Sequence, residues 1–282
     1  MMLLLILLGT LVLLYLVATL VVTFLIHQLP RKPVVDIPDW GSLTDVRIPT
    51  RNGKSLEVWK IEPDGKSKGI VLLIHGWSRN RDRMTHRGRF FGKWGFTVVI
   101  PSIRDHGNSS PQIGMNALRF SEDIEAVIDW IGEPVILYGH SAGSGGAAIA
   151  AWKRPEMVKL LFLEGSYPYT DEMLLSLFRY HGRWFHFFFG KIVLFWMNLF
   201  YRGKLDRLSP AILAPELKMP VMLIHGEKDQ RFPVSFAVAL KEKLKKDLSD
   251  IYIAPGARHS EAGHTPGYPH AVKAFLDRFG SD

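Results

Sequence analysis

Gly139-His140-Ser141-Ala142-Gly143 follows the apolar run Pro134-Val135-Ile136-Leu137-Tyr138 and precedes the small-residue run Ser144-Gly145-Gly146-Ala147-Ala148-Ile149-Ala150-Ala151. That is a strand, a sharp turn and a helix. A G-x-S-x-G pentapeptide in this setting reads as a nucleophile elbow: the turn forces the serine backbone into a strained conformation, and the flanking glycines let neighbouring elements approach. The hydroxyl then stands at a helix N-terminus, facing solvent. Ser141 is the candidate nucleophile, weighed against a glycine-rich loop with a capping serine.

Outward from the elbow the chain alternates strand-like and helix-like stretches. Val46-Arg47-Ile48 and Leu56 to Ile61 alternate apolar and polar residues around Asn52-Gly53, which predicts an antiparallel hairpin at the start of the domain. The runs Ile70 to Ile74, Phe96 to Ile100, Val135 to Tyr138, Leu160 to Leu163 and Val221 to Ile224 are apolar throughout, as strands buried on both faces are. Ile124, Val127, Ile128 and Ile131 recur at helical spacing, as do Val272, Phe275, Leu276 and Phe279. This alternation predicts an α/β fold with a mostly parallel central sheet and helices on both faces. Ligands of open parallel sheets sit beyond the carboxyl ends of the strands, so the segments just after the apolar runs are where chemistry is expected.

Those segments are His75-Gly76-Trp77-Ser78, Arg104-Asp105-His106-Gly107-Asn108-Ser109, the elbow, His225-Gly226-Glu227-Lys228-Asp229, and Pro255-Gly256-Ala257-Arg258-His259. Their combination, in the chain order Ser, Asp, His, resembles the α/β-hydrolase superfamily from about Val46 to Phe279. Within it the chain is most similar to lysophospholipase-like and serine-aminopeptidase-like hydrolases. The resemblance implies a Ser141-His259-Asp229 triad. His259 would deprotonate the serine, and Asp229 would hold the imidazole in the required tautomer. Glu227 is the alternative acid and His264 the alternative base. The resemblance also assigns the oxyanion-binding amides to Ala142 and Trp77, with Ser78 as substitute for Trp77. Arg104, Asp105 and His106 correspond to a structural turn, and His75 and His225 read as braces of their loops. No H-E-x-x-H helix is present, so neither a metal nor a cofactor is expected.

The chain has 282 residues, a net charge of +8 and no cysteine. Disulfides and thiol nucleophiles are excluded. No zinc-finger, single-strand-binding or helix-turn-helix signature accompanies the positive charge, so nucleic acid is not an expected partner, and basic surface near a membrane is the simpler explanation. From Leu3 to Ile26 there is no charged residue. About 24 residues at 1.5 Å each give roughly 36 Å, enough to span a hydrocarbon core of ~30 Å with tilt. A cleaved signal peptide is the competing reading, but the segment lacks a basic n-region and is longer than such an apolar core. Arg31 and Lys32 follow the span, with Arg47, Arg51 and Lys54 beyond, so a single-pass cell-membrane protein with a cytoplasmic domain is expected. The boundaries read as an anchor over 1–28, a stiff linker over 29–43 carrying Pro30, Pro33 and Pro38, and a hydrolase-like domain over 44–282.

Within that domain, residues 167–208 read as a helical cap insertion. The stretch from Tyr167 to Tyr201 is crowded with aromatics interspersed with Arg179, His181, Arg183, His186 and Lys191. It is too interrupted to be a second span. A packed helical roof and a segment dipping into the headgroup region remain as two readings. Both make the pocket roof apolar, which points to a small hydrophobic acyl substrate and to the lipid bilayer as partners.

Overall fold

The hairpin expected at the start of the domain is β1 (Ser42–Pro49) against β2 (Ser55–Glu62), with Val46 opposite Val58 and Pro49 opposite Ser55. Asn52 (φ 59°) and Gly53 (φ 67°) supply the left-handed backbone that reverses the chain. This is a computed structural model, and it describes residues 1–28, 31–203 and 205–280.

The apolar runs become β3 (Ile70–Ile74), β4 (Thr97–Pro101), β5 (Val135–His140), β6 (Val158–Glu164), β7 (Val221–Gly226) and β8 (Ser249–Ala254). Together with the hairpin they form one sheet in the order β1-β2-β4-β3-β5-β6-β7-β8. β2 is antiparallel to both its neighbours, and the remaining pairs are parallel. The helices are α1 (Met2–Leu25), α2 (Thr85–Lys93), α3 (Ala117–Ile131), α4 (Ala142–Lys153), α5 (Thr170–His181), α6 (Arg183–Phe185), α7 (Lys191–Phe200), α8 (Pro210–Leu213), α9 (Val234–Lys243) and α10 (Tyr268–Phe279).

The strands are apolar throughout because successive side chains enter different cores. Leu72, Ile74, Val135 and Leu137 pack with Phe120 and Ile124 of α3, Ala147 and Ala148 of α4, and Leu240 of α9. Val71, Leu73, Ile136 and Tyr138 point the other way, to Phe91 of α2 and Val272 and Phe275 of α10. The small residues of α4 serve close packing: a Cβ at Gly146 would strike the Phe120 side chain, and one at Gly145 the Tyr167 hydroxyl. Segment 31–41 has no regular secondary structure and is tied to the domain. Asn80 Nδ2 donates to the Lys32 and Pro33 carbonyls at 3.0 Å, and the Arg31 guanidinium donates to the carbonyls of Gly107 and Ser109. Leu29 and Pro30 of the expected linker lie outside the described residues, as do Lys204 of the expected cap and Ser281 and Asp282 at the end of the expected domain.

Beneath the carboxyl ends of β5 and β6 lies a charged pair that sequence reading did not anticipate. Arg87 of α2 forms a bidentate ion pair with Glu164 at the end of β6, and each side chain is only 1 % exposed. The Tyr138 hydroxyl donates to the same carboxylate at 2.6 Å, and the Tyr268 hydroxyl donates to that of Tyr138 at 3.1 Å. Burial pushes the Glu164 carboxyl up, but the charge and hydrogen bonds of Arg87 outweigh it and hold the pKa well below the carboxylate range. Removing one partner strands a buried charge. Arg87→Met is therefore expected to destabilise the protein by about 3–5 kcal/mol in urea unfolding, and adding Glu164→Leu should recover most of that loss.

Candidate active site

The elbow joins β5 to α4 with Ser141 at φ 56° and ψ −122°, a conformation side chains other than glycine rarely take. Its N–H donates to the Glu164 carbonyl at 2.8 Å, and its carbonyl accepts from Ser144 N–H at 2.8 Å. So tight a turn leaves no space beside it: a Cβ at Gly139 would lie 2.7 Å from Ser144 Cα, and one at Gly143 2.8 Å from the Ile74 carbonyl. Glycine at both positions is a steric requirement.

His259 follows β8, and its ring lies across the elbow. Nε2 is 2.8 Å from Ser141 Oγ, and Nδ1 is 2.6 Å from Asp229 Oδ2. Asp229, on the loop after β7, also accepts from the N–H groups of Arg231 (2.9 Å) and Phe232 (3.0 Å) through Oδ1. Burial pushes the Asp229 carboxyl up, yet the hydrogen bond and charge of His259, with the Phe232 amide, hold its pKa below the ordinary value. The carboxylate is therefore ionised when it faces the imidazole, and both its oxygens are occupied. The His259 ring is seated by the Phe232 ring, edge-on at 4.7 Å, and by Gly165, where a Cβ would come within 3.2 Å of Cε1.

The alternatives named from sequence lie elsewhere. Glu227 is exposed, and its Oε2 accepts from Gly256 N–H at 2.7 Å. His264 stacks on His86 with ring centroids 4.1 Å apart. Arg104 is buried against Asp123 (2.6 Å) and Glu122 (2.7 Å), holding the turn after β4 to α3. Among the described residues no group of three or more His, Asp and Glu side chains is arranged to hold a metal ion.

The loop after β3 carries the amide expected to face the oxyanion. Gly76 lies against the elbow, where a Cβ would be 3.0 Å from that of Ser141. Two buried histidines hold the peptides on either side of Trp77. His75 Nε2 accepts from Ile103 N–H at 3.0 Å, so Nδ1 carries the proton and donates to the Gly76 carbonyl at 2.7 Å. In a trans peptide the carbonyl and the following N–H point in opposite directions, so this bond turns the Trp77 N–H away from His75. His106 Nε2 accepts from Ser78 N–H at 3.1 Å, while its Nδ1–H donates to the Arg104 carbonyl at 2.9 Å. The Ser78 amide is thus occupied, whereas the Trp77 amide has no hydrogen-bond partner among the described residues. Ala142 opens α4, where the first N–H groups have no intrahelical acceptor. Burial lowers the pKa of both histidines, favouring the neutral rings these bonds require. Sequence reading took His75 as a brace of its loop and His106 as part of a structural turn; which peptide each one holds emerges only when the strand ends meet.

His140, inside the elbow, is a third neutral histidine. Burial brings its pKa down to about 3, and its Nε2–H donates to the His259 carbonyl at 3.3 Å. The Ser141 elbow and the His259 loop are thereby tied together independently of the Ser141–His259 contact.

A mostly parallel sheet of this order, with a serine elbow after β5, an acid after β7 and a histidine after β8, is the α/β-hydrolase fold. In sequence, too, the chain resembles the α/β-hydrolase superfamily. A family model described as serine aminopeptidase, S33, matches residues 65–201. The bifunctional esterase/perhydrolase of Acinetobacter calcoaceticus is 23 % identical over 248 residues, covering 72 % of this chain and 85 % of that protein. Among solved structures, an esterase of Pyrococcus furiosus superposes with a TM-score of 0.71 at 19 % identity, covering 89 % of this chain and 99 % of its own. A membrane phospholipase A described as a bacterial virulence factor covers 100 % of this chain and 97 % of its own, with a TM-score of 0.65 at 19 % identity.

Replacing His75 by Phe keeps a ring of similar size but frees the Gly76–Trp77 peptide. Labelling of Ser141 by a fluorophosphonate is expected to slow about tenfold or more, short of the ~10²–10³ lost when an oxyanion donor is deleted. Circular dichroism on the same sample reports whether the variant is folded.

Proposed function

We propose that this protein is a membrane-anchored serine hydrolase that cleaves a hydrophobic carboxylic ester through an acyl-enzyme. The observation that carries this reading is the continuous chain Ser141 Oγ, His259 Nε2, His259 Nδ1, Asp229 Oδ2, with links of 2.8 and 2.6 Å. As Ser141 Oγ attacks the ester carbonyl carbon, His259 Nε2 takes its proton, and Asp229 stabilises the imidazolium. The carbonyl oxygen becomes an oxyanion received by the N–H groups of Ala142 and Trp77, the first of them also at the positive end of α4. Collapse expels the alcohol, protonated by His259. A water then attacks the acyl-enzyme with His259 again as base, releasing the acid and restoring the serine.

An ester is favoured over a peptide by the apolar cap between β6 and β7, whose buried core is Leu174, Phe178, Val193 and Met197, and by the esterase among the relatives. Anchoring is favoured over signal cleavage by the attachment of α1 to the folded domain. Trp196 Nε1–H donates to Thr19 Oγ1 at 3.0 Å, and His27 Nε2 is 3.3 Å from the Tyr201 hydroxyl. Arg31 and Lys32 after α1 favour a cytoplasmic domain.

Detergent-solubilised wild type is expected to label with a fluorophosphonate and to hydrolyse p-nitrophenyl acyl esters, and Ser141→Ala to do neither. Asp229→Asn should lower kcat by about 10⁴-fold by presenting the wrong imidazole tautomer. Folded wild type that neither labels nor turns over esters would instead point to a hydrolase-fold binding module, and turnover confined to peptide amides would point to a peptidase. For topology, a C-terminal green fluorescent protein fusion should fluoresce and an alkaline phosphatase fusion stay inactive. The reverse pattern would overturn the cytoplasmic assignment.

A further inference from the structure

One face of α1 is not free. Thr19 and Thr23 are its two buried residues, and Val22 and Ile26 pack on the core of the cap. Three contacts give the alignment: the Tyr15 hydroxyl donates to the Phe188 carbonyl, Thr19 meets Trp196, and His27 meets Tyr201. Residue numbers rise together in the two segments, so α7 and the π-helical turn before it (His186–Gly190) run beside the C-terminal half of α1, from Tyr15 to His27. Phe188 of the cap is therefore level with Tyr15, well inside the apolar helix.

That alignment limits where a bilayer can lie. The whole of α1 is about 36 Å long, 24 residues at 1.5 Å each, against a hydrocarbon core of ~30 Å. Tyr15 stands about 15 Å before its end at Leu25. With α1 as the span, Phe188 beside Tyr15 falls below the hydrocarbon boundary, at about the ~5–10 Å depth typical of interfacial helices. The cap surface suits such a position. Trp184 and Phe187 are each 75 % exposed, and Phe188, Phe195, Leu199 and Phe200 are exposed beside them. Arg179, Arg183 and Lys191, also exposed, are long enough to carry their charges back toward the phosphate layer.

We propose that the α5–α7 cap is immersed in the leaflet that α1 crosses, its aromatic tip below the phosphates and docked on the Tyr15–Thr19 face of α1. The partner of this surface is the acyl-chain region of the leaflet. A substrate lipid then reaches the roof of the site laterally, without leaving the bilayer. This rests on the anchored reading above, and the test separates the two.

The chain has no cysteine, so each introduced thiol is a unique label site. Phe187→Cys and, separately, Leu8→Cys are labelled with nitrobenzoxadiazole in the full-length protein reconstituted in phosphatidylcholine nanodiscs. Both side chains are exposed, so neither change removes a packed group. Nitroxide lipids spin-labelled high on the acyl chain are expected to reduce the Phe187→Cys emission by about half, with aqueous iodide having little effect, and the Leu8→Cys label should be quenched by nitroxide deeper in the chain. Iodide quenching at Phe187→Cys with lipid quenching at Leu8→Cys would overturn the immersed cap and leave the anchor standing. Iodide quenching of both labels would overturn the anchor and the proposal with it.

Discussion

The constraint on which the site depends is the absence of side chains where β3, β5 and α4 converge on Ser141. Gly76, Gly139 and Gly143 each lie where a Cβ would press on the elbow or its neighbours. Because Gly139 and Gly143 press on backbone atoms and Gly76 on the Ser141 Cβ, the left-handed Ser141 is held from several directions, which is how strained conformations persist in folded proteins. The sheet supplies the rest of the geometry. Parallel strands deliver their carboxyl ends to one edge, so groups as distant in sequence as Gly76 and His259 arrive within one residue's reach of the serine.

Around that edge the protein keeps one ion pair charged and several histidines neutral. Arg87 and Glu164 satisfy each other in full burial, with the Tyr138 hydroxyl on the same carboxylate. His75, His106 and His140 are kept neutral by the cost of burying a cation and act through hydrogen bonds to the backbone of the Trp77 and His259 loops. The loops that carry Ser141, Trp77 and His259 are thus held in part by side chains outside the Asp229–His259–Ser141 chain. The Asp229–His259–Ser141 chain inherits its geometry from loops already pinned.

The cap and α1 show the same economy at a larger scale. Four-residue spacing brings Tyr15, Thr19 and Thr23 toward one face of α1, with His27 four residues on, just past its end. Tyr15, Thr19 and His27 meet the cap, while the Thr23 hydroxyl bonds back to the Thr19 carbonyl. In the proposed arrangement that stripe makes the anchor part of the roof of the site rather than a tether, and sets the depth at which the roof sits.

Much of this was legible in sequence, because it depends on local pattern. Continuous apolar runs marked β3 to β7, since strands covered on both faces need apolar residues at every position. G-H-S-A-G and its small-residue sequel marked the elbow, since only small residues tolerate that approach. What sequence left open was partnership. Glu227 and Asp229 stand two residues apart on one loop, and His259 and His264 five apart on another. Only the fold turns Asp229 and His259 toward each other, Glu227 outward to Gly256, and His264 onto His86. The Arg87–Glu164 pair, the histidines bracing Trp77 and the docking of α1 on the cap likewise join segments 77, 28 and about 175 residues apart. The sequence by itself determined which segments become strands, where the backbone must turn and which residue types stand at the strand ends, because these follow from neighbours along the chain. The tertiary structure alone decided which of those residues meet, because a hydrogen bond or a buried ion pair between distant segments is specified by the packing of the whole sheet and leaves no periodic trace in the chain.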